Sequence, residues 1–224
     1  MLEKILIENK NNFSGIFPFQ LKSKDIYQLD LSVDNQELYS VDLSSSSKLE
    51  SYIVNKVKTA NKNLAMGGYA EERLIYKKSS LFGNDEDART IHLGIDIWYD
   101  ANTSIHSPLD GIIHSFQNND NFGDYGPTII IEHKLNNYTF YTLYGHLSKK
   151  SMEGLKQGKK VTKGEKIAEL GNDKENGNWP PHIHFQLITD MESNFGDFPG
   201  VCSTKNMNHY LNICLNPELL LNIK

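Results

Sequence analysis

Five residues of this chain have the types and spacings that do chemistry: His92, Asp96, His146, His182 and His184. The stretch "PHIHFQL" sets His182 and His184 one residue apart. Side chains on a strand repeat every second residue, so both imidazoles share one face. "IHLGIDIW" spaces His92 and Asp96 four apart, again on a single strand face. Each pair alone is a weak signal. Together, His92, Asp96 and His184 offer two imidazoles and a carboxylate, a donor set that suits Zn²⁺ with a fourth position left open for water. That is the pattern of a catalytic rather than a structural zinc site. His146 ends the alternating run in "TFYTLYGHL", where a strand would deliver it to a sheet edge or mouth. If it meets His182, two further imidazoles stand beside the metal. One can then take a proton from water, and the other can hydrogen-bond the oxyanion formed on attack. The chemistry of such a set is metal-assisted hydrolysis. The competing reading of His92, Asp96 and His184 is three satisfied polar residues of a core.

The elements that position these groups are short and mostly β. Between about residues 66 and 190, "HLGIDIW", "DGIIHSF", "PTIIIEH", "TFYTLYGHL", "KIAEL" and "HIHFQLI" are apolar or alternating runs separated by turn-forming clusters such as "NNDNFGDYG" and "GNDKENGNWPP". This spacing predicts an antiparallel β-sheet or sandwich. Residues 1–65 read as a small α/β extension without a chemical motif. Tyr27, Leu29, Leu31 and Val33 alternate as a half-buried strand. Leu49, Tyr52, Ile53, Val57 and Ala60 line one helical face, with Ser47 and Glu50 as a capping box. Residues 191–224 form a tail packing on the domain, irregular until a short closing helix at "NPELLLNI".

Composition narrows the function classes. The 224 residues suffice for one large or two small domains. A net charge of −5 argues against a nucleic-acid binder, which shows a basic stripe. No apolar run approaches the roughly 20 residues that span a bilayer. The first residues lack a secretory pattern, so the chain as written is expected in the cytoplasm, and outside it only if a leader has been removed. Cys202 and Cys214 are too few for a disulfide framework and are expected as reduced thiols. His106, His114, His133 and His209 have no chemical company, and His133 is expected at a surface or strand edge. Arg89 is a candidate for binding a substrate carboxylate, Tyr144 for touching substrate, and Trp179 for lining a groove; packing or solvated positions are the alternatives for all three.

Six motifs in order, "RTIHLGIDIW", "SPLDGIIHSF", "YGPTIIIEH", "TLYGHLS", "GLKQGKKVTKGEKIAELGN" and "PHIHFQL", resemble the lysostaphin/LytM-type zinc endopeptidases. The resemblance runs from about Arg89 to Leu187. It implies an antiparallel β fold with a groove over one zinc ion per chain, held by His92, Asp96 and His184. His146 and His182 then fall on the family's two catalytic histidines. The family's usual substrates are peptide bonds of peptidoglycan cross-bridges or stem peptides, often beside glycine or D-amino acids. Pro127 stands where Asn is common in the family, and the Asn-rich loops "QNNDNFGDYG" and "NDKENGNW" would frame the groove. A non-catalytic scaffold or regulatory module is the alternative function, with residues 1–65 offering a place for a protein partner. A phosphocarrier, suggested by the turn "VTKGEKIAELG", leaves His92 with Asp96 unexplained.

Overall fold

The isoleucine-rich runs become the centre of a nine-stranded sheet in a computed structural model, which describes residues 1–77, 82–83 and 87–224. In chain order the strands are β1 (Ile26–Gln28), β2 (Leu64–Gly67), β3 (Arg89–His92), β4 (Ile95–Trp98), β5 (Ser104–His106), β6 (Gly111–Asn119), β7 (Gly126–Leu135), β8 (Tyr138–Gly145), β9 (Lys160–Val161), β10 (Lys166–Glu169), β11 (His182–Ile188), β12 (Val201–Ser203) and β13 (Cys214–Leu215). The main sheet runs β1-β2-β4-β11-β8-β7-β6-β9, and β13 joins β11 beyond the end of β4. Two-stranded pairs β5–β10 and β3–β12 flank it. The protein is thus mainly β, and its pairing is antiparallel except at the edge, where β1 lies parallel to β2.

Period-two patterning gives the sheet two different faces. Ile95 and Ile97 of β4, Ile183, Phe185 and Leu187 of β11, and Ile129 and Ile131 of β7 share one apolar core. Leu6, Phe13, Ile16 and Phe17 from the start of the chain, and Leu220 and Leu221 from its end, complete that core. Each such side chain stabilises the fold by roughly 1.5–3 kcal/mol when fully buried. The intervening residues of β4 and β11, Asp96, Trp98, His182, His184 and Gln186, face the other way and carry the chemistry.

The N-terminal residues supply part of that second face's cover. Helix α1 spans Leu2–Asn9 and α2 spans Ser46–Thr59. Leu49 and Ile53 of α2 pack with Leu29, Leu31, Leu38 and Leu43 against Leu74, Ile75, Tyr76 and Trp98. Ala60 stays exposed. The cap of α2 is Ser45, not Ser47: Ser45 keeps an extended backbone and its hydroxyl accepts from the Lys48 amide at 3.4 Å, whereas Ser47 is already inside the helix. The alternation from Tyr27 to Val33 yields ladder pairing only through Gln28, although Leu29 and Leu31 remain buried. Short helices α3 (Leu74–Lys77) and α4 (Met207–Ile213) follow, and the closing helix is a single 3-10 turn, Pro217–Leu220. Cys202 and Cys214 are both free and buried, and burial pushes their thiols up to about 11 and about 12. No described helix is long and apolar enough to cross a membrane.

His133 is not an edge residue. It shares the parity of Ile129 and Ile131, so it faces the core opposite Phe140, and it is fully buried. Its Nδ1–H donates to the Asp110 carbonyl at 2.8 Å, and Nε2 meets the Thr142 hydroxyl at 2.8 Å. Burial lowers its pKa to about 4 from 6.5. The unfolded chain therefore binds a proton that the folded chain refuses between those values. Stability is expected to fall as pH drops from 6.5 to 4, by up to about 3 kcal/mol from this residue alone. Urea unfolding across that range checks it, and His133→Gln should flatten the slope; parallel slopes in the two proteins would refute the assignment.

Candidate metal centre and cleft

Strand register assembles the site in one row. Gly67 of β2 pairs with Asp96 of β4, Asp96 with His184 of β11, and His184 with Gly145 of β8. His92 reaches the row from the end of β3. His146, one residue past β8, has φ of +60°, a conformation His adopts more readily than most residues. That turn decides which side it serves. Strict alternation would put it on the core face with Tyr144, but its ring instead stands 4.1 Å from the His182 ring, centroid to centroid. Gly94 explains itself sterically: a Cβ there would sit 2.6 Å from His184 Cε1 and Nε2, and 2.8 Å from the Phe185 carbonyl oxygen. Gly94→Ala is expected to displace the His184 ring and weaken metal affinity about 10- to 100-fold, as loss of ligand support commonly does. Competition with a chromogenic chelator measures this, and unchanged affinity would show that the ring has room to move.

The donor atoms of His92, Asp96 and His184 lie within 4.8 Å of one another, and all three residues are buried. Their outer hydrogen bonds fix which ring nitrogen holds the proton. His92 Nδ1 is 2.9 Å from the Gly68 carbonyl, which can only accept, so Nδ1 is protonated and Nε2 presents a lone pair. His184 Nε2 faces Gln186 Oε1 at 2.9 Å. The Gln186 amide is oriented by its own donation to the Pro199 carbonyl at 3.2 Å, so Oε1 accepts and His184 Nδ1 is the bare nitrogen. Those two lone pairs face each other at 2.9 Å, and Asp96 Oδ1 lies 3.4 and 3.2 Å from them. Three acceptors converge with no proton to share, an arrangement that repels itself until a cation is added. Two imidazoles and a carboxylate with their outer atoms already hydrogen-bonded are the donors that zinc takes.

The electrostatics agree with this proton inventory. Burial, with Arg73 nearby, lowers His92 to about 4. Burial alone would push the Asp96 carboxyl up, but His92 beside it and the Arg73 guanidinium on Oδ2 hold it well below the usual carboxylate range. His146 donates Nδ1–H to the Asn176 carbonyl at 2.8 Å, and His182 donates Nδ1–H to the Pro180 carbonyl at 2.7 Å. Both leave Nε2 bare toward the site. Burial lowers both pKa values, with His182 adding to the effect on His146. The His182 ring is stacked on Trp98, centroids 5.4 Å apart and planes 19° apart.

The other candidates take different places. Tyr144 is fully buried, pairs with Phe185 across the ladder and bonds the Thr142 hydroxyl at 3.0 Å, so it packs the core rather than the cleft. Its odds were set by parity: residue 144 opposes 185, not 184. Arg89 is exposed at the cleft mouth over the Phe82 ring. Trp179 lines the cleft beside His146. Sequence reading missed Arg73, Tyr125 and Gln186. Gln186 was within reach, since it continues the parity of His182 and His184. Arg73 and Tyr125 gave no signal, because a charge in "AEERLIY" and an aromatic in a Gly-rich loop both read as surface. Tyr125 is buried with its hydroxyl 3.3 Å from His184 Nε2.

These groups form the wall of a cleft of about 350 Å³. The profile of peptidase family M23 matches residues 90–194. This segment belongs to peptidase family M23. It contains all five residues of the candidate site, whereas Gly68 and Arg73 reach that site from before the matched segment and Gly200 from beyond it. Among solved structures, the chain is similar to a zinc containing peptidase from Vibrio cholerae, with 29% identity over 44% of this chain and 27% of that one, and a TM-score of 0.36. A putative peptidase M23 from Pseudomonas aeruginosa gives 20% identity over 58% of this chain and 44% of that one, TM-score 0.39. The catalytic domain of the antimicrobial peptidase lysostaphin from Staphylococcus simulans gives 22% over 54% and 80%, TM-score 0.36. The chain thus spans less than half the length of the first two proteins. No curated protein sequence matches it.

Proposed function

We propose that the protein is a zinc-dependent peptide hydrolase with one metal per chain, held by His92, Asp96 and His184. The observation that carries this reading is the proton inventory: three acceptors meet, each with its outer atom already bonded. When bound, zinc supplies a Lewis acid that polarises a peptide carbonyl and acidifies water. The protein's own groups supply the rest. His146 and His182 enter the reaction neutral, with Nε2 bare, so either can take a proton as water attacks. Once protonated, the same Nε2–H donates to the oxyanion and then to the leaving amine. Pro180 and Asn176 carbonyls keep both rings in the required tautomer throughout. Trp98, stacked on His182, holds that ring in place and keeps water from one side of it.

Peptides with glycyl or D-amino-acid bonds, of the peptidoglycan type, are the substrates to try first. Purified protein is expected to carry about one zinc per chain by mass spectrometry, to lose cleavage on chelation and to regain it with added zinc. A fully metallated protein that leaves every such peptide uncut would move the non-catalytic binding module to first place.

A further inference from the structure

Three buried side-chain polar atoms lack a hydrogen-bond partner among the described residues, and two of them, Arg73 Nη2 and Trp179 Nε1, belong to residues lining the cleft. Arg73 is 2% exposed. Its Nε donates to Glu71 Oε2 at 2.9 Å, and its Nη1 donates to Asp96 Oδ2 and, at 3.4 Å, to the Tyr76 hydroxyl. The guanidinium has five N–H donors in a fixed fork, so a full arm of it is unspent. A buried donor without an acceptor is unfavourable, and a ligand that supplies one recovers the difference.

Charge says what that acceptor is. With neutral imidazoles, a divalent metal and one guanidinium against Asp96 and Glu71 leave a single positive charge, which one carboxylate balances. Asp124 and Asp197 also line the cleft and repel a carboxylate placed beside them. Distance says where it sits on the substrate. Only the Asp96 carboxylate separates Arg73 from the metal donors, since its Oδ2 meets Arg73 while its Oδ1 lies 3.2 Å from His184 Nδ1. Arg73 is therefore one carboxylate away from those donors, which suits a free α-carboxylate on the residue next to the scissile bond. Leu31, Leu49, Ile75 and Trp98 line the same part of the cleft, all buried. Leu31 also fixes the arrangement, as its amide donates to Glu71 Oε1 at 3.1 Å and its carbonyl accepts from the Leu74 amide. Residues 1–65 therefore build this subsite rather than merely adjoin it.

We propose that Arg73 binds a free α-carboxylate on the residue whose amine leaves, and that Leu31, Leu49, Ile75 and Trp98 take that residue's apolar side chain. This rests on the peptide-hydrolase reading of the site. In the reaction, the oxygen of water joins the carbonyl carbon, the C–N bond breaks, and the last residue departs as a free amino acid after its nitrogen takes a proton from a histidine.

The test uses the full chain loaded with zinc and matched N-acetylated tripeptides ending in leucine, one a free acid and one a carboxamide. The acid is expected to be preferred about 10- to 100-fold in kcat/KM, mostly through KM. Arg73→Lys keeps a positive charge but loses the fork, and the preference should shrink to about threefold or less. Replacing the final leucine by aspartate should lower kcat/KM by a further tenfold or so. Equal cleavage of acid and amide by the wild type overturns the assignment of Arg73 and leaves the hydrolase reading standing. If neither peptide is cut, the hydrolase reading is judged on the glycyl and D-amino-acid peptides, and calorimetric binding of N-acetyl-leucine against its amide decides the subsite. A preference for the acid that Arg73→Lys abolishes supports it; equal binding overturns it.

Discussion

Asp96→Ala is expected to abolish stoichiometric zinc binding and, independently of metal, to destabilise the fold by about 3 kcal/mol, the lower end of what breaking a buried ion pair costs. Two separate debts meet at this carboxylate. Oδ1 completes the acceptor set with His92 and His184, so its loss leaves two of the three proposed ligands. Oδ2 partners the Arg73 guanidinium, which is 2% exposed and would be left with the Glu71 carboxylate and a long bond to the Tyr76 hydroxyl among the described residues. The lower figure is appropriate because removing Asp96 also relieves the repulsion among acceptors in the metal-free protein. Urea unfolding in excess chelator isolates the second effect, and zinc stoichiometry reports the first. A variant that unfolds at the wild-type urea midpoint in chelator would confine Asp96 to metal binding. The pH dependence has a definite sign. The folded carboxyl is held well below its ordinary range, so its contribution is complete above an unfolded pKa of about 4 and disappears as pH falls from there through the folded value. It therefore adds nothing to the slope between pH 6.5 and 4, which belongs to buried neutral imidazoles such as His133.

The parts of this site that were legible in the sequence are those fixed by strand parity. His182 and His184 share a face because they are two apart, and Asp96 joins them because β4 pairs with β11 in register. The same rule, applied further, would have found Gln186, excluded Tyr144 and buried His133. What parity could not show is where a chain leaves the strand. His146 reaches the cleft through a positive φ at the end of β8, a property of one backbone position that no periodicity encodes. Nor could it show contributions from segments without a pattern of their own. Gly68 and Arg73 stand in "GGYAEER", a stretch that reads as a loop, and enter the site because residues 71–74 bridge Leu31 and Ser32 on one side and β3 on the other. The extension's fold class was visible in its strand and helix patterns, but its parallel pairing with β2, and hence its place against the cleft, depends on contacts remote in sequence.

His146→Ala and His182→Ala are each expected to lower kcat by about 10²- to 10⁴-fold while zinc content stays near one per chain. Neither ring supplies one of the three converging acceptors, and both present a bare Nε2 beside them. The two losses should not multiply. The rings lie 4.1 Å apart and, in the proposed reaction, share the handling of one proton, so the double variant should fall little further than the worse single one. The pH profile separates this role from a structural one. Burial lowers both imidazoles below their ordinary 6.5, so kcat/KM should hold from pH 7 down past 6.5 before its acid limb begins. His146→Gln, which keeps a polar side chain but cannot take a proton, should lose turnover as fully as Ala does. Loss of zinc together with turnover in either single variant would instead make that histidine a ligand, and full turnover without either ring would place the proton transfer on another group.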